Sequence, residues 1–83
     1  MKEVTIYTTR LCPFCYKAKR LLNKLDVSFN EFSLDLNPKL REEIAAKAGK
    51  TSVPQIWIGD SHIGGCDDLY ALHYAGSLLN ALS

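Results

Sequence analysis

Cys12-Pro13-Phe14-Cys15 is the segment whose residue types and spacing carry the clearest chemistry. Two cysteines three apart on a helix share one face, so one sulfur can attack a mixed disulfide that the other has formed. Pro13 suits the first helical position, because its missing N–H would have no intrahelical partner there. Cys12 then stands where unpaired backbone N–H groups and the positive helix end favour a thiolate, with Arg10 and Lys17 as added support. Such settings lower a thiol pKa to roughly 3.5–7.5. Cys15, one turn further in, lacks most of that field and is expected to be the resolving thiol. The rival reading is half of a zinc site, but a tetrahedral site needs four ligands, and none of Cys66, His62 or His73 repeats the spacing.

The remaining chemistry-bearing residues each have a plain structural reading. Pro54 after Val53 could simply open an edge strand. Gly64-Gly65 could be only a loop, and Asp67-Asp68 only a helix start stabilised by negative charge. Cys66 reads as a small packed residue or backbone contact, and Trp57 as packing. His62 and His73 have no partner identifiable from sequence.

The elements that must position these residues follow from periodicity. Val4 to Tyr7 is a strand with Val4 and Ile6 on one face. A helix from Pro13 carries Ala18, Leu21, Leu22 and Leu25 as its apolar stripe and ends near Asp26. Val27 to Leu34 alternates through Val27 and Phe29, then shifts register to Phe32 and Leu34, which predicts a strand with a bend or bulge. Asn37 caps a second helix over Pro38 to Ala48, closed by Gly49. Gln55 to Ile58, a Gly59-Asp60 turn and Ser61 to Ile63 form a hairpin. Beyond Gly64-Gly65 comes a last helix with Leu69, Leu72 and Ala75, then Gly76 and a short final turn from Ser77 to Leu82. The β-α-β-α-β-β-α order implies a parallel pair joined by a helical crossover plus an antiparallel hairpin, in one mixed sheet covered by helices.

With 83 residues, the chain holds a single domain over 1–83. Its 47% apolar and 23% charged composition is that of a folded soluble protein. A formal charge of +1 gives no overall field to attract nucleic acid or anionic lipid. The longest apolar run, Leu69 to Leu72, is far short of a membrane span, and no charged-then-apolar leader precedes Val4. Three cysteines, an odd count, do not fit a secreted disulfide framework, so a cytoplasmic setting is expected.

Three segments, Cys12-Pro13-Phe14-Cys15, Ser52-Val53-Pro54-Gln55 and Gly64-Gly65-Cys66-Asp67-Asp68-Leu69, resemble the signatures of the dithiol glutaredoxins, and the likeness spans the chain. The resemblance implies an α/β, thioredoxin-like fold with a four-stranded mixed sheet flanked by helices, in which the three segments converge on a groove for glutathione. It implies a cis bond before Pro54, which would leave the N–H and C=O of Val53 free for the cysteine of an extended peptide. The family's usual Tyr between the cysteines is here Phe14. Its Thr before Val-Pro is Ser52, and its Lys three residues before the first cysteine is Thr9. The charge contact to glutathione would then fall to Arg10 or Lys50. The start of the last helix, with Gly65, Cys66 and Asp67, would take the γ-glutamyl carboxylate on free N–H groups and the ammonium on the Asp67 side chain.

The function so implied is a glutathione-dependent thiol–disulfide oxidoreductase, with Cys12 as nucleophile and Cys15 as resolving thiol. It would act on protein disulfides and glutathione mixed disulfides, with glutathione as co-substrate, no tightly bound cofactor or metal, and a monomeric state. Two alternatives are a redoxin reduced by a flavoprotein reductase, which the Gly-Gly-Cys-Asp-Asp run argues against, and an iron–sulfur cluster carrier built on Cys12 and external glutathione, which Pro13 disfavours by stiffening the loop.

Overall fold

Alternation along Val4–Thr8 decides the centre of the molecule. In the computed structural model, which describes residues 1–83, this strand (β1) buries Val4, Ile6 and Thr8 on one face. It pairs in parallel with β2 (Asn30–Ser33) and antiparallel with β3 (Gln55–Ile58), which in turn pairs antiparallel with β4 (Ser61–Gly64). The sheet order is β2-β1-β3-β4, the mixed four-stranded arrangement that the element order implies. The parallel β1–β2 pair needs a crossover, and α1 (Pro13–Lys24) provides it.

Both faces of the sheet are covered. On one, Ala18, Leu21 and Leu22 of α1 join Val4, Ile6, Ile56 and Ile58, together with Cys66 and Leu69 of α3 (Cys66–Tyr74). On the other, Ile44 of α2 (Pro38–Ala48) packs with Leu34 and Trp57. Tyr7 extends this second face, edge-on to Trp57 at 5.5 Å between ring centroids and stacked on Phe32 at 5.6 Å. Burial on two sides explains why β3 reads as the near-unbroken run Ile56-Trp57-Ile58.

The predicted second strand, Val27 to Leu34, is shorter in the structure. Asp26 adopts a left-handed conformation (φ 56°) just past α1. Its N–H donates to the Asn23 carbonyl (3.1 Å) and that of Val27 to the Leu22 carbonyl (2.9 Å), the paired bonds of a Schellman closure. Val27 is thus buried against the helix it follows, and its apolar character serves that closure and not a sheet face. Leu34 likewise is buried just beyond the strand, while all four residues of β2 are exposed. The expected irregularity lies elsewhere, between Ile56 and Trp57 where β3 meets β4.

The last segment also differs from expectation. Ser77 to Leu82 is not a simple turn: Leu78–Leu82 forms a helix, α4, with Leu78 and Leu82 buried in the larger core. Gly76 (φ 73°) ends α3 with a second Schellman closure, its N–H on the His73 carbonyl and that of Ser77 on Leu72. Apolar burial then stabilises a helix too short to persist alone.

Candidate active site

Cys12 is the N-cap of α1, in an extended conformation, with Pro13 beginning the helix. Its Sγ accepts the backbone N–H of Cys15 at 3.1 Å, and its carbonyl accepts from Cys15 and Tyr16. The sulfur therefore occupies the position in which a Ser or Asp oxygen usually satisfies an orphan helix donor, and a thiolate there gains a charge-assisted bond. No acidic side chain in the first turn opposes it. Cys12 and Cys15 are joined as a disulfide, with 5.2 Å between their Cα atoms. Exposure separates them: Cys12 retains 6% and Cys15 only 1%. The sulfur at the helix cap is the one an incoming group can reach first.

The turn before Cys12 is held by polar contacts. Arg10 donates its backbone N–H to Asp35 Oδ2 (2.8 Å), and its carbonyl accepts from the Tyr16 hydroxyl (2.7 Å). These bonds fix the approach of the chain to α1.

Beside the disulfide lies a cleft of about 260 Å³. Phe14, Ser52, Val53, Pro54, Gly65, Cys66 and Asp67, distant in sequence, all line it. Arg10 does not, whereas Lys50 does, so of the two candidate cations only Lys50 faces this space. The Val53–Pro54 bond is cis, and the Val53 carbonyl oxygen lies 3.7 Å from Cys12 Sγ. The Val53 N–H donates to no group of the chain. Phe14, 57% exposed, forms an apolar rim.

Across the cleft, the two glycines have separate reasons. Gly64 has φ 118°, and a Cβ there would collide with the Asp68 carboxylate. Gly65 approaches the Pro54 carbonyl, which would stand 3.4 Å from an added Cβ. Asp68 Oδ2 accepts the Gly65 N–H at 2.9 Å, leaving Asp67 exposed and without any hydrogen-bond or ion-pair partner. Cys66 packs inward with the core, and burial pushes its thiol up from the ordinary value; Lys17 opposes this and the Asp67 charge adds to it.

Two further residues that line the cleft, Asp68 and Gln55, stand inside the signature segments but have no place in the site as read from sequence. Gln55 is buried, with Nε2 donating to the Ser52 carbonyl (2.9 Å) and Oε1 2.7 Å from His62 Nε2. His62 thus has a partner that its sequence neighbours do not reveal. The available signal was a lone amide opening an apolar strand, two residues from the Trp57 that faces His62 across the hairpin.

Comparison with known proteins gives a consistent picture. The family model described as glutaredoxin matches residues 4–63. A glutaredoxin of Pseudomonas aeruginosa is 57% identical over 83 residues, covering 100% of this chain and 99% of the relative. The solution structure of glutaredoxin from Brucella melitensis superposes with a TM-score of 0.89 at 46% identity, over 99% of this chain and 89% of that one. A crystal structure of a buckwheat glutaredoxin–glutathione complex superposes with a TM-score of 0.91 at 26% identity, over 98% of this chain and 76% of the other.

Proposed function

The chain belongs to the glutaredoxin family, with a thioredoxin-like fold and a redox-active dithiol, and from that premise we propose that it is a glutathione-dependent disulfide reductase. Thiol–disulfide exchange itself follows from the family and the Cys12–Cys15 pair. Glutathione as the electron donor is the further step. The observation that carries it is the cleft beside Cys12, where the unpaired backbone N–H of Val53, its C=O facing Cys12 Sγ, the free carboxylate of Asp67 and the ammonium of Lys50 surround one space. Glutathione offers the matching groups: a peptide backbone at its cysteine, an α-ammonium and two carboxylates. Extended pairing with Val53 would direct the glutathione sulfur toward Cys12. The glutathione complex of the buckwheat relative supports the same reading.

In this scheme the Cys12 thiolate attacks the glutathione sulfur of a protein–glutathione disulfide. A Cys12–glutathione bond forms, the original S–S bond breaks, and the protein thiolate leaves and takes a proton from water. A second glutathione, as thiolate, attacks the bound glutathione sulfur; glutathione disulfide departs and Cys12 is restored. With a protein disulfide, Cys12 first forms a mixed disulfide with the substrate. Cys15 then attacks the Cys12 sulfur, freeing the reduced protein and forming the Cys12–Cys15 disulfide. Two glutathione molecules reduce that bond and become one glutathione disulfide. Every group used comes from one chain, so a monomer suffices, and no helix is long and apolar enough to cross a membrane. A reducing, cytoplasmic setting suits the cycle.

The test is turnover of a glutathionylated peptide with glutathione and a glutathione reductase supplying electrons. Saturable turnover that stops when glutathione is omitted is expected. Equal turnover without glutathione, sustained by a flavoprotein that reduces the dithiol directly, overturns the reading.

A further inference from the structure

Gln55 and Thr8 are the only polar side chains buried within the molecule, and Gln55 makes all its side-chain bonds to groups around the cleft and its hairpin. Its Nε2 donates to the Ser52 carbonyl at 2.9 Å and lies 3.4 Å from Ser52 Oγ. With the amide nitrogen committed to a carbonyl, the amide oxygen must face His62, and His62 Nε2 must carry the proton that bridges the 2.7 Å gap. The His62 ring is itself tilted against Trp57, 4.5 Å between centroids and 33° between planes. A line of contacts thus runs from Trp57 through His62 and Gln55 to Ser52, and ends one residue before Val53, whose carbonyl stands 3.7 Å from Cys12 Sγ.

We propose that Gln55 and His62 are positioning residues that hold the Ser52–Val53 backbone against Cys12, ready for the cysteinyl backbone of a disulfide substrate. The inference rests on reading the cleft as the substrate groove. Ser52 and Val53 belong to no helix or strand, so no ladder of backbone bonds holds them. The Gln55 amide supplies the missing tie, and only while its orientation is imposed. His62 is exposed, so without a donor at position 62 water reaches Oε1 in its place, and the amide loses the fixed partner that orients it. The loop would then sample positions in which the Val53 N–H and C=O no longer meet an extended peptide, which weakens substrate binding more than the chemical step.

The experiment compares wild type, His62→Ala and His62→Gln in steady-state reduction of a glutathionylated peptide and of a peptide disulfide that contains no glutathione, with thermal melts of each protein. His62→Ala is expected to raise KM about fivefold to tenfold for both substrates, the effect of one orienting hydrogen bond lost, with kcat changed less than about twofold. His62→Gln keeps an N–H donor within reach of Gln55 Oε1 and should bring KM back to within about twofold of wild type. An unchanged KM in His62→Ala, or a His62→Gln variant as impaired as His62→Ala, overturns the proposal; so does a loss of rate that merely tracks the unfolded fraction. If the wild type reduces only the peptide without glutathione, the glutathione reading fails, while the comparison of variants on that peptide still decides the positioning role.

Discussion

The backbone N–H of Gly65 donates to Asp68 Oδ2 at 2.9 Å, so the cap of α3 belongs to Asp68 and its neighbour Asp67 is left free. Two adjacent carboxylates that look equivalent in sequence therefore have different work. Asp68 satisfies a donor at the helix start, and Asp67 points its charge into the cleft.

The consequence is a separation of effects between these two positions. Asp67→Ala should weaken glutathione about tenfold, the loss of one charge-assisted contact in a wet site, and leave the melting temperature nearly unchanged. Asp68→Ala should cost ~1 kcal/mol of stability through the lost cap. Glutathione titrations and thermal melts on both variants check this, and a destabilised Asp67→Ala protein with unaltered glutathione affinity would remove the binding role.

The two cysteines should also separate. Cys12→Ser should abolish all exchange, because a hydroxyl is neither ionised nor nucleophilic toward sulfur at neutral pH. Cys15→Ser should retain reduction of a glutathionylated peptide, which needs one thiol and external glutathione, and lose reduction that passes through the internal disulfide. Equal failure of both variants on the glutathionylated peptide would reverse the assignment of attacking and resolving roles.

Alkylation of the reduced protein against pH should rank the thiols. Cys12, with its sulfur on the Cys15 N–H at the helix start, should react first and at the lowest pH. Cys66 should react last, since burial pushes its thiol above the ordinary value of 9.0 and keeps it protonated at neutral pH. Mass spectrometry of partly labelled protein reads the order directly; simultaneous labelling of Cys12 and Cys66 would contradict the cap geometry.

Glu31 should make a small, acid-sensitive contribution to stability. Burial pushes its carboxyl up, but the hydrogen bonds from Lys19 Nζ (2.9 Å) and Thr8 Oγ1 (2.7 Å), with the Lys19 charge, outweigh this and hold it below 4.5. A carboxylate with a lowered folded-state pKa stabilises the fold above its unfolded pKa and loses that contribution as pH falls through the folded one. Because the side chain is 37% exposed, the effect should be under about 1 kcal/mol after solvent screening. Denaturant titrations of wild type and Glu31→Gln should differ at pH 7 and converge as the pH falls from 4.5 through the lowered pKa of the folded state. A constant difference across that range would mean that shape, not charge, matters at this position.

What the sequence determined by itself is what short-range chemistry determines. The cysteine pair on a helix start follows from Pro13 and the three-residue spacing, and α2 over Pro38–Ala48 follows from the Asn37 cap and the Gly49 stop, both present in the structure. The parallel β1–β2 pair follows from the helical crossover between them, and the β3–β4 pair from the Gly59-Asp60 turn that folds one strand onto the other. Only the tertiary structure decided the rest. Val27 could be assigned to a strand or to a helix closure by its apolar character alone, and the choice depended on whether Leu22 or the sheet received it. The helix over Leu78–Leu82 depended on a core waiting for two leucines. The separation of Asp67 from Asp68, the choice of Lys50 over Arg10 for the cleft, and the bond from His62 through Gln55 to Ser52 all depended on side-chain directions. Local propensity acts over a few residues, whereas those directions are set by packing between segments that lie tens of residues apart.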